Sequence, residues 1–254
     1  MKEHGQSAYR VRFDWGLTGA RALVADARPG DVAVVVDVLS FTTTLTVAVE
    51  QGIAVHPFPW AAEEAPAYAA QRGAVLARGR RVGSAEGSVS LSPASFEGVT
   101  GIARVVLPSP NGSTIAFALA DSGVTVVGAS LRNASAVGRR LAGVAGVVSV
   151  IAAGERWGDG SLRPAVEDLW GAGAVLAARG TDGGSPEARS AAAAFDAVRD
   201  ELERALLDSA SGRELVAGGF ARDVEIAASA DVSSVVPVLD GEAFVDGAGQ
   251  SVRF

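Results

Sequence analysis

Acidic side chains stand at the ends of two strongly apolar runs in this chain, where a carboxylate is costly to bury unless it has partners. Asp37 ends a run of valines over residues 32–37, and Glu155 follows a second apolar run. Glu167 and Asp168 then open a helical pattern. Acids from two strand ends would bind Mg²⁺, which prefers one or two carboxylates together with substrate oxygens and water. This set predicts metal-assisted phosphoryl transfer.

Each of these acids also has a structural interpretation. Asp37 is a candidate to cap a helix that begins near Thr42, to bind a divalent ion or to act as a nucleophile. Glu167 and Asp168 lie where acidic side chains commonly complement the positive end of a helix dipole. From the residues alone, these alternatives stay open.

A second chemical feature is the segment Leu-Pro-Ser-Pro-Asn-Gly-Ser-Thr over residues 107–114, which joins an apolar run to an alanine-rich helical pattern. The start of a helix leaves backbone N–H groups unpaired and carries partial positive charge, so it is suited to hold a phosphate. The hydroxyls, the amide and the glycine of this segment would add close contacts to an anion. The same residue types are also ordinary helix caps and turn formers.

The elements that would position these residues are strands and helices in alternation. Apolar, β-branched runs end in polar residues that begin a helical pattern at residues 32–37, 104–107, 124–130 and 146–153. This alternation predicts an α/β protein with a mostly parallel sheet that helices cover on both faces. Ligands of such sheets bind outside the carboxyl ends of the strands. We therefore expect the polar junctions to meet at one edge of the sheet.

The 254 residues, 48% of them hydrophobic, suffice for a single α/β domain over residues 1–254. A glycine-rich segment at residues 180–186 offers the alternative of a subdivision there, with a mainly helical C-terminal part. Residues 187–207 carry a continuous helical pattern. The glycine-rich and charged residues 78–88 are expected to form a mobile loop.

The composition argues against several classes of protein. A net charge of −7 without a long cluster of Lys or Arg disfavours a nucleic-acid partner. No apolar run approaches about 18 residues, so we expect no membrane partner and a cytoplasmic location. The absence of cysteine excludes disulfides, thiolate zinc sites and cysteine nucleophiles. His4 and His56 lie away from the polar junctions, which leaves histidine-based phosphatase chemistry unsupported.

Motifs of several enzyme classes are also missing. The chain contains no P-loop, no dinucleotide-binding glycine motif after a strand and no nucleophile elbow of the α/β-hydrolase type. Nucleotide hydrolases, dinucleotide-dependent enzymes and α/β-hydrolases therefore lack their usual sequence support.

Taken in order along the chain, the polar junctions resemble the 2-phosphosulfolactate phosphatase family. The matching motifs are V-D-V-L-S-F-T-T-T (residues 36–44), S-P-N-G-S (109–113), G-A-S-L-R-N (128–133), A-G-E (153–155) and V-E-D-L-W-G-A-G (166–173). The resemblance spans nearly the whole chain and includes Asp223 in its tail. It implies a Mg²⁺-dependent phosphatase acting on phosphate esters of 2-hydroxycarboxylic acids. It also implies a three-layer α/β/α fold and a homo-oligomer such as a dimer.

The resemblance further implies roles for individual residues. The catalytic candidates are Asp37, Glu155 and Asp168, and the metal candidates are Asp37, Asp168 and Glu167. The side chains and backbone expected to hold phosphate and carboxylate are those of Thr42, Thr43, Ser109, Asn111, Gly112, Ser113 and Asn133. Attack by metal-activated water is the preferred mechanism, and an aspartyl-phosphate route through Asp37 stays open.

This chain departs from the family pattern at two places that bear on the substrate. After the first strand the family commonly reads D-V-L-R-A-T-T, whereas this chain has Ser40 in place of the arginine and Phe41 in place of the alanine. A guanidinium that would grip an anionic group is therefore missing. Where the family commonly has G-E-R, this chain has Arg80 and Arg81 after a glycine. Either arginine is a candidate to enter the site and replace the lost cation.

Two other classes compete with this interpretation. A hydrolase of the haloacid dehalogenase type needs a second aspartate two residues after Asp37, and Leu39 occupies that position. A homologue that has lost catalysis and acts as a binding protein is compatible with Ser40 and Arg80. The retained acids argue against it, and dependence of activity on magnesium would distinguish the two.

Overall fold

Strands form where β-branched residues run together, and helices form where alanine-rich patterns follow them. The computed structural model describes residues 3–80 and 88–247. The predicted mobile loop therefore falls largely outside the described residues, as does Arg81.

One large sheet organises the described chain, and a small hairpin stands beside it. The strands are β1 (Val11–Trp15), β2 (Val32–Val36), β3 (Ala54–Pro59), β4 (Val75–Leu76), β5 (Arg104–Ser109), β6 (Thr125–Ala129), β7 (Val148–Ala152), β8 (Glu155–Arg156), β9 (Leu162–Arg163), β10 (Pro237–Asp240) and β11 (Ala243–Asp246). The large sheet has the order β1-β7-β2-β6-β10-β11-β3-β5-β4, and β8 pairs with β9 in the hairpin.

The large sheet is mostly parallel, which confirms the prediction. Strands β1, β7, β2 and β6 pair in parallel, and so do β3, β5 and β4. The β10–β11 hairpin lies between these two parallel sets and is antiparallel to the neighbouring strand of each.

Helices occupy most of the remaining chain. They are α1 (Gly16–Leu23), α2 (Phe41–Glu50), α3 (Ala65–Gln71), α4 (Gly112–Leu119), α5 (Ala134–Ala142), α6 (Val166–Arg179), α7 (Pro186–Asp196), α8 (Leu202–Asp208), α9 (Ala210–Ala217) and α10 (Ala221–Ala228). Among residues 3–80 and 88–247, no helix combines the length and the hydropathy that a bilayer-spanning segment needs.

Strand β2 shows why the fold has three layers. Its side chains alternate between the two faces of the sheet, as the period of a strand requires. Val32, Val34 and Val36 pack into a core with residues of α5, α6 and α7, whereas Ala33 and Val35 pack into a second core with residues of α1, α2 and α4. All five residues are buried. The three-layer α/β/α arrangement is thereby confirmed.

Helix α2 is the element that joins the two parallel sets of strands. Every residue from Phe41 to Val49 is buried. The helix contacts β6 of one set and β3 of the other, and it also contacts α4. The ends of β2 and β5 therefore lie close together although four strands separate them in the sheet.

The helix predicted over residues 187–207 is broken in the structure, so that prediction is wrong in detail. Helix α7 ends at Asp196, a short 3-10 turn covers Arg199–Glu201, and α8 begins at Leu202. After the break, Leu202 and Leu206 of α8 lie buried in the core. Burial of these two side chains outweighs the continuous helical propensity of the segment.

The close packing of α6 on α7 gives a test of the fold. A Cβ atom on Gly173 would lie 2.1 Å from the carbonyl oxygen of Ala191 in α7. We expect Gly173→Ala to lower the free energy of unfolding by about 2 kcal/mol, because helix displacement costs more than the gain in helix propensity. Urea denaturation measures this. The control is Gly158→Ala, where a Cβ meets nothing within 4 Å. Equal stability of the two variants would contradict the packing described here.

Candidate active site

Asp37 fixes the starts of two helices with one carboxylate. Its Oδ1 accepts the backbone N–H of Phe41, the first residue of α2, at 3.1 Å. Its Oδ2 accepts the N–H of Gly112, the first residue of α4, at 2.8 Å. The side chain is only 6% exposed. Asp37 therefore does what the capping alternative expects, and it does so for two helices rather than one.

Asp168 makes the same kind of bridge from the first turn of α6. Its Oδ1 accepts the N–H of Val38 at 2.7 Å, and its Oδ2 accepts the N–H of Gly154 at 2.8 Å. Gly154 has φ +67°, a left-handed conformation that glycine adopts without strain. Because Val38 follows β2 and Gly154 follows β7, this carboxylate ties together the ends of two neighbouring parallel strands.

Glu155 joins the group through Asn111. The Asn111 side-chain amide donates to Glu155 Oε2 at 2.9 Å, so the junction after β5 meets the junction after β7. A cavity of about 320 Å³ opens beside this pair and is also lined by Ala153 and Arg156. A larger cavity of about 960 Å³ lies against α1 and α7 and contains none of the predicted site residues.

Burial and neighbouring charges raise the pKa values of three acids in this group, Asp37, Glu155 and Asp168. Burial raises the pKa of Asp37, whose hydrogen bonds from Gly112 and Phe41 act in the opposite direction. Burial and then the charge of Asp37 raise the pKa of Glu155 to about 7. Burial, followed by the charges of Asp37 and Glu167, raises the pKa of Asp168 well above its usual range. Glu167 itself is 2% exposed. The site thus carries more buried negative charge than its surroundings neutralise.

The donor atoms suit a hard cation, although the carboxylates do not form a complete cage. Among residues 3–80 and 88–247, no three acidic or histidine side chains are grouped so that they would hold a metal ion. The available donors are carboxylate oxygens, and Mg²⁺ commonly takes only one or two of these and completes its shell with water and substrate oxygens. The residues therefore fit a magnesium ion that shares ligands with a bound phosphate.

The predicted threonine ligands lie inside the turn after β2. Thr42 and Thr43 are fully buried. The Thr42 hydroxyl donates to the carbonyl of Asp37 at 2.8 Å, and the Thr43 hydroxyl donates to the carbonyl of Val38 at 2.7 Å. These bonds hold the backbone of the segment that carries Asp37. Thr42 and Thr43 thus support the site through contacts with its backbone.

The predicted serine ligands similarly build the turn between β5 and α4. Ser109 Oγ accepts the N–H of Ser113 at 3.0 Å. Ser113 Oγ accepts the N–H of Phe58 at 2.7 Å and lies 2.8 Å from the carbonyl oxygen of Leu107, to which it donates. Ser109 and Ser113 are both buried. Their direct contact with a substrate stays a prediction.

Asn133 fastens the end of β6 to the C-terminal segment. Its amide oxygen accepts the N–H of Ser130 at 2.8 Å, and its amide nitrogen donates to the carbonyl of Val235 at 3.1 Å. The same oxygen also accepts the Ser130 hydroxyl at 3.4 Å. A substrate contact by Asn133 also stays a prediction.

Four of the partners that complete the site are backbone N–H groups, which no side-chain motif reveals. Each binds a carboxylate oxygen of Asp37 or Asp168, and they belong to Val38, Phe41, Gly112 and Gly154. Gly112 is recognisable in the sequence from its place in the serine-asparagine-glycine turn. Arg163, whose charge acts to lower the pKa of Glu155, carries no sequence motif because it belongs to the two-residue strand β9.

Arg80 is a candidate to replace the missing family arginine. It contacts Ser40, the residue that stands where the family commonly has that arginine. Its guanidinium donates to Ser40 Oγ through Nη2 and to Asp223 Oδ2 through Nε, the latter at 2.9 Å. Its charge also acts to lower the pKa of Asp37. The structure therefore places a cation next to the start of α2.

These features define an α/β protein whose strand ends and helix starts hold a buried group of acids, an arrangement suited to a phosphorylated ligand. Residues 20–242 match the sequence model of the 2-phosphosulpholactate phosphatase family. A Deinococcus radiodurans protein described as a "probable 2-phosphosulfolactate phosphatase" is 33% identical over 224 residues, which cover 85% of this chain and 91% of that protein. The chain belongs to the 2-phosphosulfolactate phosphatase family.

The raised pKa of Glu155 predicts how stability depends on pH. Because this pKa rises from 4.5 to about 7, the folded protein binds the proton more tightly than the unfolded chain does. The resulting stability is present below about pH 4.5 and is lost as the pH rises through about 7. We expect the free energy of unfolding of Glu155→Gln, relative to the wild type, to increase over this range. Denaturant unfolding at several pH values measures the difference.

A matched control for this experiment is Glu63→Gln, because Glu63 is exposed. Its difference from the wild type is expected to stay small at every pH. A constant difference between Glu155→Gln and the wild type across the range would show that the Glu155 carboxyl is not perturbed by its neighbours.

Proposed function

We propose that this protein is a Mg²⁺-dependent phosphatase that hydrolyses phosphate esters of 2-hydroxycarboxylic acids, such as 2-phosphosulfolactate to sulfolactate and phosphate. Family membership supports the reaction. The observation that carries the proposal is the buried group of Asp37, Asp168 and Glu155, which gathers at the ends of β2 and β7 beside the starts of α2 and α4. Buried carboxyls with raised pKa values are typical of functional sites.

The starts of α2 and α4 would bind the phosphate. Both helices direct the positive ends of their dipoles toward Asp37. A phosphoryl group beside them would be stabilised by this partial positive charge, which is preorganised because Thr42, Thr43 and Ser113 hold the turns rigidly.

Asp37 and Asp168 would hold the magnesium ion, with Glu167 beside them. Each oxygen of the two aspartates accepts one backbone N–H and keeps a further lone pair for a metal. When bound, the ion would neutralise charge on the phosphoryl oxygens and make a bound water more acidic. The excess of negative charge among these carboxyls is what such an ion would relieve.

Glu155 is suited to move the proton because its pKa lies near neutrality, at about 7. In its ionised form it would accept a proton from the water that attacks phosphorus. It would then return the proton to the ester oxygen as the P–O bond breaks, so that the hydroxy acid and inorganic phosphate are released. The Asn111 amide holds Glu155 in place at 2.9 Å.

Attack by water is favoured over attack by Asp37. Both oxygens of Asp37 already accept backbone N–H groups, which lowers the nucleophilicity of the carboxylate and fixes its orientation. The partner proposed here is a small phosphate ester. The homo-oligomer and the cytoplasmic location stay predictions.

The test is phosphate release from 2-phosphosulfolactate, 2-phospholactate, 2-phosphoglycolate and p-nitrophenyl phosphate, with Mg²⁺ and with EDTA. We expect turnover of the 2-phospho acids that EDTA abolishes. We expect Asp37→Asn and Glu155→Gln each to lower kcat by at least about a hundredfold, because each removes a group that acts on the reacting phosphate.

The control variant is Asp121→Asn, an exposed acid at the far end of α4, which should keep wild-type activity. Circular dichroism of each variant establishes that it is folded. Failure of the folded wild type to release phosphate from any of the esters would support the non-catalytic binding protein instead. Turnover that persists in EDTA would contradict the magnesium dependence.

A further inference from the structure

We propose that Arg80 binds the second anionic group of the substrate, the carboxylate or sulfonate that accompanies the phosphate, and so determines which esters the site accepts. This inference rests on the phosphatase function proposed above. Arg80 is therefore a specificity-determining residue for the reaction, and Asp223 and Ser40 are the groups that position it.

The location of the guanidinium supports this role. Ser40, which accepts a hydrogen bond from Arg80 Nη2, immediately precedes Phe41, whose N–H binds Asp37. Arg80 thus contacts the residue that immediately precedes the helix start at which the phosphate is proposed to bind.

The burial of the group indicates that it is held there rather than solvated. The Arg80 side chain is 14% exposed, and the Asp223 side chain is 1% exposed. Exposed arginines in glycine-rich loops are ordinarily solvated and contribute little. A desolvated guanidinium with a fixed orientation forms much stronger hydrogen bonds to an anion.

Asp223 positions Arg80 without consuming its capacity to bind an anion. The carboxylate of Asp223 also accepts hydrogen bonds from Ser92 Oγ and from the Ala94 N–H, so its charge is shared among several donors. The contacts to Asp223 and Ser40 use two of the five N–H groups of a guanidinium. A carboxylate or sulfonate needs two for a bidentate contact.

The surrounding site favours a cation for the second anionic group. The described neighbours of the proposed phosphate position include the acids Asp37, Glu155 and Asp168, and the proposed magnesium ion would be engaged by the phosphate. A cation beside the start of α2 would attract the carboxylate or sulfonate that accompanies the phosphate. Arg80 is a cation that the structure places there.

Arg80→Ala separates this role from a purely structural one when two substrates are compared. For 2-phosphosulfolactate, we expect KM to rise roughly 10- to 100-fold, as the loss of a charged hydrogen bond predicts, while kcat changes little. For p-nitrophenyl phosphate, which has no second anion, we expect kcat/KM to fall much less than it does for 2-phosphosulfolactate. The control is Arg78→Ala, an exposed arginine two residues away, which should change neither substrate.

A second variant tests the position of the charge. Because Ser40 Oγ contacts the Arg80 guanidinium, an arginine introduced by Ser40→Arg in the Arg80→Ala background reaches the same space from the opposite side. We expect this double variant to recover a large part of the lost affinity for 2-phosphosulfolactate. Arg80→Lys, which keeps the charge but not the bidentate geometry, should give an intermediate KM.

Calorimetric titration with sulfolactate in place of a substrate keeps the inference independent of turnover. The wild type should bind sulfolactate more tightly than Arg80→Ala does, even if no ester is hydrolysed and the proposed phosphatase function fails. An equal loss of activity toward 2-phosphosulfolactate and p-nitrophenyl phosphate in Arg80→Ala would show that Arg80 has only a structural role, through its ion pair with Asp223, and would overturn the proposal. Unchanged KM and unchanged sulfolactate binding would also overturn the proposal.

Discussion

The site depends on two buried aspartates that bind backbone N–H groups from different parts of the chain. Asp37 connects the start of α2 to the start of α4, and Asp168 connects the segment after β2 to the segment after β7. A buried carboxylate without such donors would be strongly destabilising. The polar junctions of the sheet are therefore held together by the same carboxylates that the proposed reaction uses.

This dual use explains why the site is charged and yet rigid. Four hydrogen bonds from the backbone fix the orientation of the two aspartates, while burial and mutual repulsion keep their pKa values raised. Glu155, held by a side-chain amide and not by the backbone, is the acid whose pKa comes to lie near neutrality. This difference in how the acids are held favours Asp37 and Asp168 as fixed metal ligands and Glu155 as the group that exchanges protons.

The sequence predicts the parts of this arrangement that local pattern determines. The valine run before Asp37 and the helical pattern after Asn111 identify a strand end and a helix start, and hence the α/β class and most of the acids. The β10–β11 hairpin between two parallel sets of strands is not predictable in this way, because its pairing depends on which edges the rest of the fold leaves open. The contact between Arg80 and Ser40 likewise joins segments 40 residues apart. Only the folded chain shows that Arg80 lies at the site and that the threonine hydroxyls face the backbone.

The most direct test of the account is a crystal structure with Mg²⁺ and a non-hydrolysable phosphonate analogue of 2-phosphosulfolactate. We expect the phosphonate at the starts of α2 and α4, the ion on Asp37 or Asp168, and the second anionic group on Arg80. An analogue bound elsewhere, for example in the larger cavity against α1 and α7, with the acids left without metal or phosphonate, would contradict it.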